Sequence, residues 1–138
     1  MPGRFNPDEK RYGNIQPIPS ILIVEDDGLT ALSLQQFLNK SGYDTPDPIA
    51  SGEEVIEYLK KSPAPDLILM DVSLGGRIDG IETARYIRNS SGVPVIFLTA
   101  HNNAKTLSSA EVIASKGIIM KPFVDHEVLS LIGETLNR

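Results

Sequence analysis

The chain has 138 residues, with 13 Lys or Arg and 18 Asp or Glu, which gives a formal net charge of −5. This length is that of a single domain. An acidic domain repels phosphate backbones, so we expect no nucleic-acid binding by this chain. The absence of cysteine excludes a disulfide scaffold, a thiolate zinc site and a cysteine nucleophile, and it fits a reducing, cytoplasmic compartment. No apolar run approaches the roughly 20 residues of a membrane-spanning helix, so we expect no membrane association.

The first 19 residues are predicted to be a disordered leader or a linker. They contain Pro2, Pro7, Pro17 and Pro19, which oppose regular structure, and no apolar block of signal-peptide length. Residues 20–138 are predicted to form one domain.

Short apolar runs alternate with helical stretches along the rest of the chain. Predicted strands lie at residues 21–24, 44–50, 67–70, 95–98 and 118–120, and predicted helices at 29–40, 51–61, 80–89, 104–115 and from Asp125 onward. The first run, Ile-Leu-Ile-Val, is apolar throughout, which is typical of a strand covered on both faces. Ser51, with Glu54 three residues later, is predicted to cap the second helix, and Asp125 the last one.

Five alternating strands and helices predict an α/β fold in which a parallel sheet has helices on both faces. Pro46 and Pro48 lie in the predicted second strand. Because residues two apart point the same way, both missing donors can face the outside of an edge strand. An edge position for this strand agrees with a flavodoxin-like, doubly wound (βα)5 fold whose five-stranded sheet has the order 2-1-3-4-5.

Polar residues follow the predicted strands, at the carboxyl edge where sheets of this type bind ligands. In the order 2-1-3-4-5 the first and third strands flank the switch point, so the side chains that follow them are expected to meet. The residues are Glu25, Asp26 and Asp27 after the first strand, Asp71 after the third, Thr99 after the fourth and Lys121 after the fifth.

Carboxylates in one crevice repel one another, by about 4 kcal/mol for two charges about 4 Å apart at an effective dielectric constant of about 20. A divalent cation relieves this repulsion, and oxygen ligands without His or Cys suit Mg²⁺ or Mn²⁺. Because such a cation is commonly shared with a phosphate, Lys121 and the Thr99 hydroxyl are expected to contact phosphate oxygens. Asp71 is the best candidate nucleophile, since a carboxylate can accept a phosphoryl group as an acyl phosphate.

Over residues 21–137 the chain resembles the receiver domain of two-component response regulators. Five motifs carry the resemblance: Ile-Leu-Ile-Val-Glu25-Asp26-Asp27, Leu-Ile-Leu-Met-Asp71, Asp79-Gly80, Leu98-Thr99-Ala100 and Met120-Lys121-Pro122. Each motif alone is weak evidence. Together, in this order and at the ends of successive predicted strands, they are highly specific.

The resemblance implies a phosphoacceptor and a metal site. Asp71 would be the phosphoacceptor. Asp26 directly, and Glu25 through water, would hold Mg²⁺ or Mn²⁺ together with Asp71. Ser73 would contribute its backbone to the phosphate site and its carbonyl to the metal.

The resemblance also implies the groups that contact the phosphate. Thr99 would be the switch hydroxyl, Ala100 would offer a backbone N–H, and Lys121 would pair with the phosphate, aimed inward by a cis bond to Pro122. Family members usually carry an aromatic switch residue three positions before the lysine, where this chain has Ile118.

By the same resemblance the chain is a phosphorylation-switched signalling domain and not an enzyme. A phosphohistidine on a histidine kinase or histidine phosphotransfer protein would donate to Asp71, and water would later hydrolyse the acyl phosphate. Phosphorylation would shift the face formed by the fourth predicted helix, the fifth strand and the fifth helix. A downstream protein or a covalently linked output domain would read this face, which also allows a homodimer.

Two further features depart from the commonest family pattern. Residues 72–79, here called the acceptor loop, are one residue longer than usual and contain Gly75, Gly76 and Arg77. The second predicted strand contains its two prolines.

Two alternatives remain open at this point. One is that the chain is a receiver segment of a larger hybrid histidine kinase or multidomain regulator. The other, more remote, is a haloacid-dehalogenase-like phosphatase, whose nucleophile would fall at position 25, where this chain has Glu25.

Overall fold

A parallel sheet with helices on both faces is built by the residues that the computed structural model describes, 17–100, 108–109, 112 and 114–137. Its strands are β1 (Ile21–Val24), β2 (Leu67–Asp71), β3 (Val95–Thr99) and β4 (Ile118–Met120), in the order β1-β2-β3-β4. The helices in this part of the chain are α1 (Gly28–Lys40), α2 (Gly52–Lys61), α3 (Gly80–Ser90) and α4 (Asp125–Leu136). The predicted fold class is therefore confirmed.

The predicted second strand is the main difference from the expectation. Its residues form two isolated bridges on the edge of β1 that β2 leaves open: Asp44 lies opposite Ser20, the residue before β1, and Ile49 lies opposite Val24. The bridging residues are five positions apart on this segment but four positions apart on the β1 side. One extra residue therefore lies between the bridges, as in a β-bulge.

Pro46 and Pro48 explain the interruption. Both lack an N–H donor and both lie between the bridging residues, so a regular ladder cannot continue through them. The end of the segment is still bonded to β1, through the Ile49 amide and the Ile23 carbonyl (2.9 Å). The predicted five-stranded order is therefore partly visible in the described residues: four strands are regular, and an irregular edge segment takes the first position of the order 2-1-3-4-5.

Alternating strand residues face two separate cores. Ile21 and Ile23 lie in one core and Leu22 and Val24 in the other, because side chains alternate across a strand. Helices α1 and α4 cover the first core, and α2 and α3 cover the second. Their buried residues are Ala31, Leu34, Leu38, Val128 and Ile132 in the first core and Val55, Ala84 and Ile87 in the second.

Side-chain caps set the start of α1, α2 and α3 near the carboxyl edge of the sheet. Asp27 accepts a hydrogen bond from the Thr30 amide (3.0 Å) at the start of α1. Ser51 accepts one from the Glu54 amide (3.2 Å) at the start of α2, as predicted. Each bond satisfies a backbone donor that the first helical turn leaves open.

The last helix starts differently from the prediction. Val124 occupies the N-cap position of α4 without a side-chain hydrogen bond, and Asp125 is already the first helical residue. The prediction that Asp125 caps this helix was therefore wrong, and its carboxylate instead lies in the first turn, at the positive end of the helix dipole. Among the described helices, none combines the length and the apolar character needed to cross a membrane.

Two predicted segments lie wholly or largely outside the described residues. They are residues 1–16 of the leader and most of the helix expected at residues 104–115. The boundary between a leader and a domain at residues 19 and 20 stays a prediction.

Gly80 brings the start of α3 against the end of β2. A Cβ atom on Gly80 would lie 2.0 Å from the carbonyl oxygen of Asp71, and the Gly80 amide donates to the Val72 carbonyl at 3.0 Å. Only glycine allows so close an approach. The contact closes the acceptor loop beside Asp71.

We expect Gly80→Ala to lower the free energy of unfolding by about 2 kcal/mol, since overpacking costs about 1–3 kcal/mol. Chemical denaturation followed by circular dichroism measures the change. Gly28→Ala is the matched control, because Gly28 opens α1 and nothing lies within 4 Å of its Cβ position. The control should be as stable as the wild type or slightly more stable, and equal stability of the two variants would contradict the packing role of Gly80.

Candidate functional site

Three carboxylates meet at the carboxyl edge of the sheet, where β1 and β2 lie side by side. Glu25 directly follows β1, and Asp71 is the last residue of β2. The parallel register aligns these two strand ends, with Val24 opposite Met70. Glu25, Asp26 and Asp71 each offer a carboxylate oxygen within 4.8 Å of the others. The structure thus brings these three predicted side chains together.

Two of these carboxylates are removed from solvent. Glu25 is 3% exposed and Asp71 is 4% exposed, whereas Asp26 is exposed. Burial of two neighbouring negative charges is unfavourable unless cations or hydrogen bonds compensate them.

Lys121 provides a cation at this edge. Its Nζ atom lies 2.6 Å from Glu25 Oε1 and 3.5 Å from Asp71 Oδ2. Partial burial lowers the pKa of the Lys121 ammonium, but the hydrogen bond to Glu25 and the charges of Asp71 and Glu25 outweigh it, and the net effect raises the pKa. Lys121 is therefore charged at neutral pH and partly neutralises both buried carboxylates.

Backbone amides hold each carboxylate in place. Asp71 Oδ1 accepts from the Ser73 amide (3.0 Å), Asp26 Oδ2 from the Gly75 amide (3.2 Å) and Glu25 Oε2 from the amide two residues later (3.1 Å). Charge-assisted bonds of this kind restrict the carboxylates to defined orientations. Two of the three donors belong to the acceptor loop.

The ends of β3 and β4 place the remaining predicted residues. Thr99 ends β3 and is buried, and the exposed Ala100 follows it. The Lys121 amide donates to the Thr99 carbonyl (2.8 Å), which ties the two strand ends together. The Lys121–Pro122 peptide bond is cis, as the resemblance implied. Ile118, at the start of β4, is partly buried and packs against the second core.

The donor set fits a hard divalent cation. All three converging side chains offer carboxylate oxygens, which are the ligands that Mg²⁺ and Mn²⁺ prefer. The described residues of this cluster include no His or Cys, so softer metals are not favoured.

Sequence reasoning missed two contributors to the site. Asp27 was expected to join the other acids at the carboxyl edge, without a specific role. The carboxylate cluster of the described residues does not include it, but its amide donates to Glu25 and its side chain caps α1. Hydrogen bonds from the hydroxyl and amide of Thr30 lower the pKa of the Asp27 carboxyl. An Asp three residues before a Thr at a predicted helix start is a detectable capping signal. The second contributor, Glu53, accepts a hydrogen bond from the acceptor loop and carries no comparable local signal.

The sequence model of one protein family, described as the response regulator receiver domain, matches residues 21–133. The chain belongs to the response regulator receiver family. The matched residues of this receiver domain include all three carboxylates, Thr99 and Lys121.

Similar curated proteins are transcriptional regulators. Transcriptional regulatory protein BaeR of Escherichia coli O6:H1 is 34% identical over 120 residues, which make up 87% of this chain and 49% of BaeR. Transcriptional regulatory protein PdtaR of Mycobacterium tuberculosis is 30% identical over 118 residues, or 86% of this chain and 57% of PdtaR. The chain thus spans about half the length of these curated relatives.

Similar solved structures are receiver domains taken from different kinds of protein. The signal receiver domain of a modulated diguanylate cyclase from Desulfovibrio desulfuricans G20 has a TM-score of 0.80 and 31% identity, covering 87% of this chain and 94% of that one. The receiver domain of a signal transduction histidine kinase from Syntrophus aciditrophicus has a TM-score of 0.77 and 29% identity, covering 86% and 90%. The receiver fold is therefore shown independently by sequence and by structure.

The raised pKa of Lys121 makes stability depend on pH. The folded protein holds this proton more tightly than the unfolded chain, so the stabilisation is complete below the ordinary pKa of 10.5 and is lost as the pH rises through the higher folded value. We expect the wild type to lose stability above about pH 10.5 more steeply than Lys121→Gln. Denaturant titrations across this range measure the difference.

Lys60→Gln is the matched control for this experiment, because Lys60 is an exposed lysine that pairs with Glu57 on the surface of α2. Surface pairs of this kind contribute little to stability. The control should follow the wild-type pH profile, and an alkaline profile of Lys121→Gln that matches the wild type would contradict the role given to Lys121.

Proposed function

We propose that this receiver domain is switched by transfer of a phosphoryl group from a phosphohistidine to Asp71. The observation that carries the proposal is the position of the Asp71 carboxylate. It is buried at the end of β2, 3.5 Å from the Lys121 ammonium and beside Glu25 and Asp26. A nucleophile in this position has both a fixed orientation and a nearby positive charge.

The proposed reaction is a displacement at phosphorus. A carboxylate oxygen of Asp71 forms a bond to phosphorus while the bond from phosphorus to the donor imidazole nitrogen breaks, and its electron pair returns to that nitrogen. The product is an acyl phosphate. Positioning and charge neutralisation are the main contributions that a protein makes to such a transfer.

Lys121 has a defined part in this reaction. Its ammonium is closer to Glu25 (2.6 Å) than to Asp71 (3.5 Å). Phosphoryl oxygens on Asp71 would add negative charge beside it, and the flexible lysine side chain would move towards them. The raised pKa supports this part, since the side chain is charged before the phosphoryl group arrives.

Glu25, Asp26 and Asp71 would hold Mg²⁺ or Mn²⁺, with the Ser73 carbonyl as a backbone ligand. When bound, the cation supplies positive charge that reduces repulsion between the anionic phosphoryl group and the carboxylates. The convergence of three carboxylates on one point supports this assignment.

The remaining residues would transmit the change. The Thr99 hydroxyl and the Ala100 amide are proposed to contact the phosphate. Because the Lys121 amide is hydrogen-bonded to the Thr99 carbonyl, movement of Thr99 would displace the end of β4 and, through it, α4. Ile118 would respond by repacking against the second core, since it has no aromatic ring to rotate. Water would later hydrolyse the acyl phosphate and reset the domain.

The proposed partners follow from this chemistry. A histidine kinase or a histidine phosphotransfer protein in the cytoplasm would supply the phosphoryl group. A docked protein or a covalently linked output domain would respond to the face formed by the fourth predicted helix, β4 and α4, through which a homodimer would also form. The net charge of −5 argues against nucleic-acid binding by this chain itself.

A second candidate is that this chain functions as part of a larger protein. A receiver segment of a hybrid histidine kinase or multidomain regulator is favoured by the similarity to a receiver domain of a histidine kinase. The phosphatase alternative is not favoured, because the residue at its nucleophile position, Glu25, is buried and paired with Lys121.

We expect acetyl phosphate with Mg²⁺ to add one phosphoryl group, seen by intact-mass spectrometry, and Asp71→Asn to abolish the addition because an amide is a poor nucleophile. Asp79→Asn is the matched control, since Asp79 caps α3 outside the carboxylate cluster and Asn is also a good cap. The control should be labelled like the wild type. Labelling that persists in Asp71→Asn but disappears in Glu25→Gln would assign the nucleophile to Glu25 instead.

We expect Mg²⁺ alone to raise the melting temperature, because it binds the folded carboxylate cluster and not the unfolded chain. At ten times the Kd the gain is about 1.4 kcal/mol, or roughly 3–6 °C, measured by differential scanning calorimetry. Asp26→Asn should reduce this shift, whereas Asp47→Asn, at an exposed position of the edge segment, should keep it. Equal shifts in wild type and Asp26→Asn would argue against Asp26 as a ligand.

A further inference from the structure

The acceptor loop is held from two sides by carboxylates. On one side, the Gly75 amide donates to Asp26 Oδ2 (3.2 Å). On the other side, the Arg77 amide donates to Glu53 Oε2 (3.0 Å). Asp26 belongs to the proposed metal site, whereas Glu53 lies in the first turn of α2 and has no part in the proposed phosphoryl transfer.

Glu53 makes close contact with the middle of the loop. A Cβ atom on Gly76 would lie 3.0 Å from both carboxylate oxygens of Glu53, and the backbone of Gly76 has a φ angle of +97°. Glycine is therefore favoured at position 76 by its backbone conformation and by the approach of Glu53. Ile78, two residues after Gly76, packs over Gly52. A Cβ atom on Gly52 would lie 2.9 Å from Ile78 Cγ1.

The two oxygens of the Glu53 carboxylate differ in their partners. Glu53 Oε1 is buried, and no hydrogen-bond donor among the described residues reaches it. Leaving a buried carboxylate oxygen without a donor costs free energy. The hydrogen bond from the Arg77 amide is the largest of the contacts that lower the pKa of the Glu53 carboxyl, and together they outweigh the desolvation that raises it.

We propose that Glu53 is a positioning residue that fixes the acceptor loop on α2 and so holds the loop backbone in place for the metal site. This role rests on the proposed function, because it assumes that Asp26 and the Ser73 carbonyl are metal ligands. Glu53 itself touches neither the metal nor the phosphoryl group in this proposal.

The physical argument concerns what happens when the metal binds. Asp26 Oδ2 accepts a hydrogen bond from the Gly75 amide, so use of this oxygen by a cation would weaken one of the two loop anchors. The bond from the Arg77 amide to Glu53 remains. This hydrogen bond keeps the loop, and with it Ser73, in place. The free energy of metal binding is then not reduced by the entropy cost of ordering the loop.

Three substitutions separate position from charge. Glu53→Asp keeps the negative charge in the first turn of α2 but withdraws the carboxylate by one methylene group. Glu53→Gln removes the charge but keeps an oxygen within reach of the Arg77 amide. Glu57→Asp is the matched control, because Glu57 is an exposed residue of the same helix whose ion pairs within the described chain are with Lys60 and Lys61.

Two measurements on each full-length variant test the role without a phosphoryl donor. Solvent-exchange NMR on the metal-free protein reports protection of the Arg77 amide, and isothermal titration calorimetry reports the Kd for Mg²⁺. We expect Glu53→Asp to accelerate exchange of the Arg77 amide by about tenfold and to raise the Kd by about tenfold. Glu53→Gln should retain most of the wild-type protection and affinity, and Glu57→Asp all of it.

Several results would overturn the proposal. Unchanged exchange of the Arg77 amide in Glu53→Asp would show that Glu53 does not hold the loop. Faster exchange with an unchanged Kd would show that the loop does not support the metal. Failure of Glu53→Gln to restore either value would assign the effect to charge instead of position.

Failure of the proposed function gives results that differ from failure of the role of Glu53. If the wild type binds no Mg²⁺, the metal assignment is wrong, and the role of Glu53 towards the metal fails with it. Exchange of the Arg77 amide then decides whether Glu53 holds the loop. If the wild type binds Mg²⁺ but Asp71→Asn is still phosphorylated, the phosphoacceptor is wrong while the role of Glu53 stands.

Discussion

The repulsion between carboxylates that parallel strands force together is the constraint on which the rest of this domain depends. Glu25 and Asp71 are buried side by side because β1 and β2 are neighbours that end at the same level. Lys121 reaches both of them from the end of β4 and offsets part of the repulsion. Under the proposed function, a cation or phosphoryl group added at this edge would alter which of the two carboxylates Lys121 prefers.

Much of this arrangement could be predicted because it depends on the order of elements. Apolar runs located β1, β2, β3 and β4, and the parallel fold then placed their carboxyl ends on one edge without any knowledge of side-chain geometry. Glu25, Asp26 and Asp71 were therefore brought together by topology alone. The division into two cores also depends on topology, since the alternation of side chains along β1 decides which residues face α1 and which face α2.

Details that depend on exact geometry could not be predicted. Asp125 was expected to cap the last helix, but the chain becomes helical one residue earlier than that assignment requires. The extra residue between Asp44 and Ile49 changes the register of the edge segment, and the two prolines alone do not reveal it. The bond from Arg77 to Glu53 joins a loop to a helix 24 residues away, and such a contact has no local sequence signal.

The interrupted edge segment also limits how this domain meets other proteins. An exposed, regular edge strand invites a second chain to extend the sheet, which leads to aggregation or domain swapping. Here one edge is bulged and lacks the donors of Pro46 and Pro48, and the other, β4, is only three residues long. Within the part of the chain that the structure describes, neither edge of the sheet is a good template for a foreign strand. Copies of this domain that are linked in tandem or crowded on a scaffold are therefore not expected to join their sheets edge to edge.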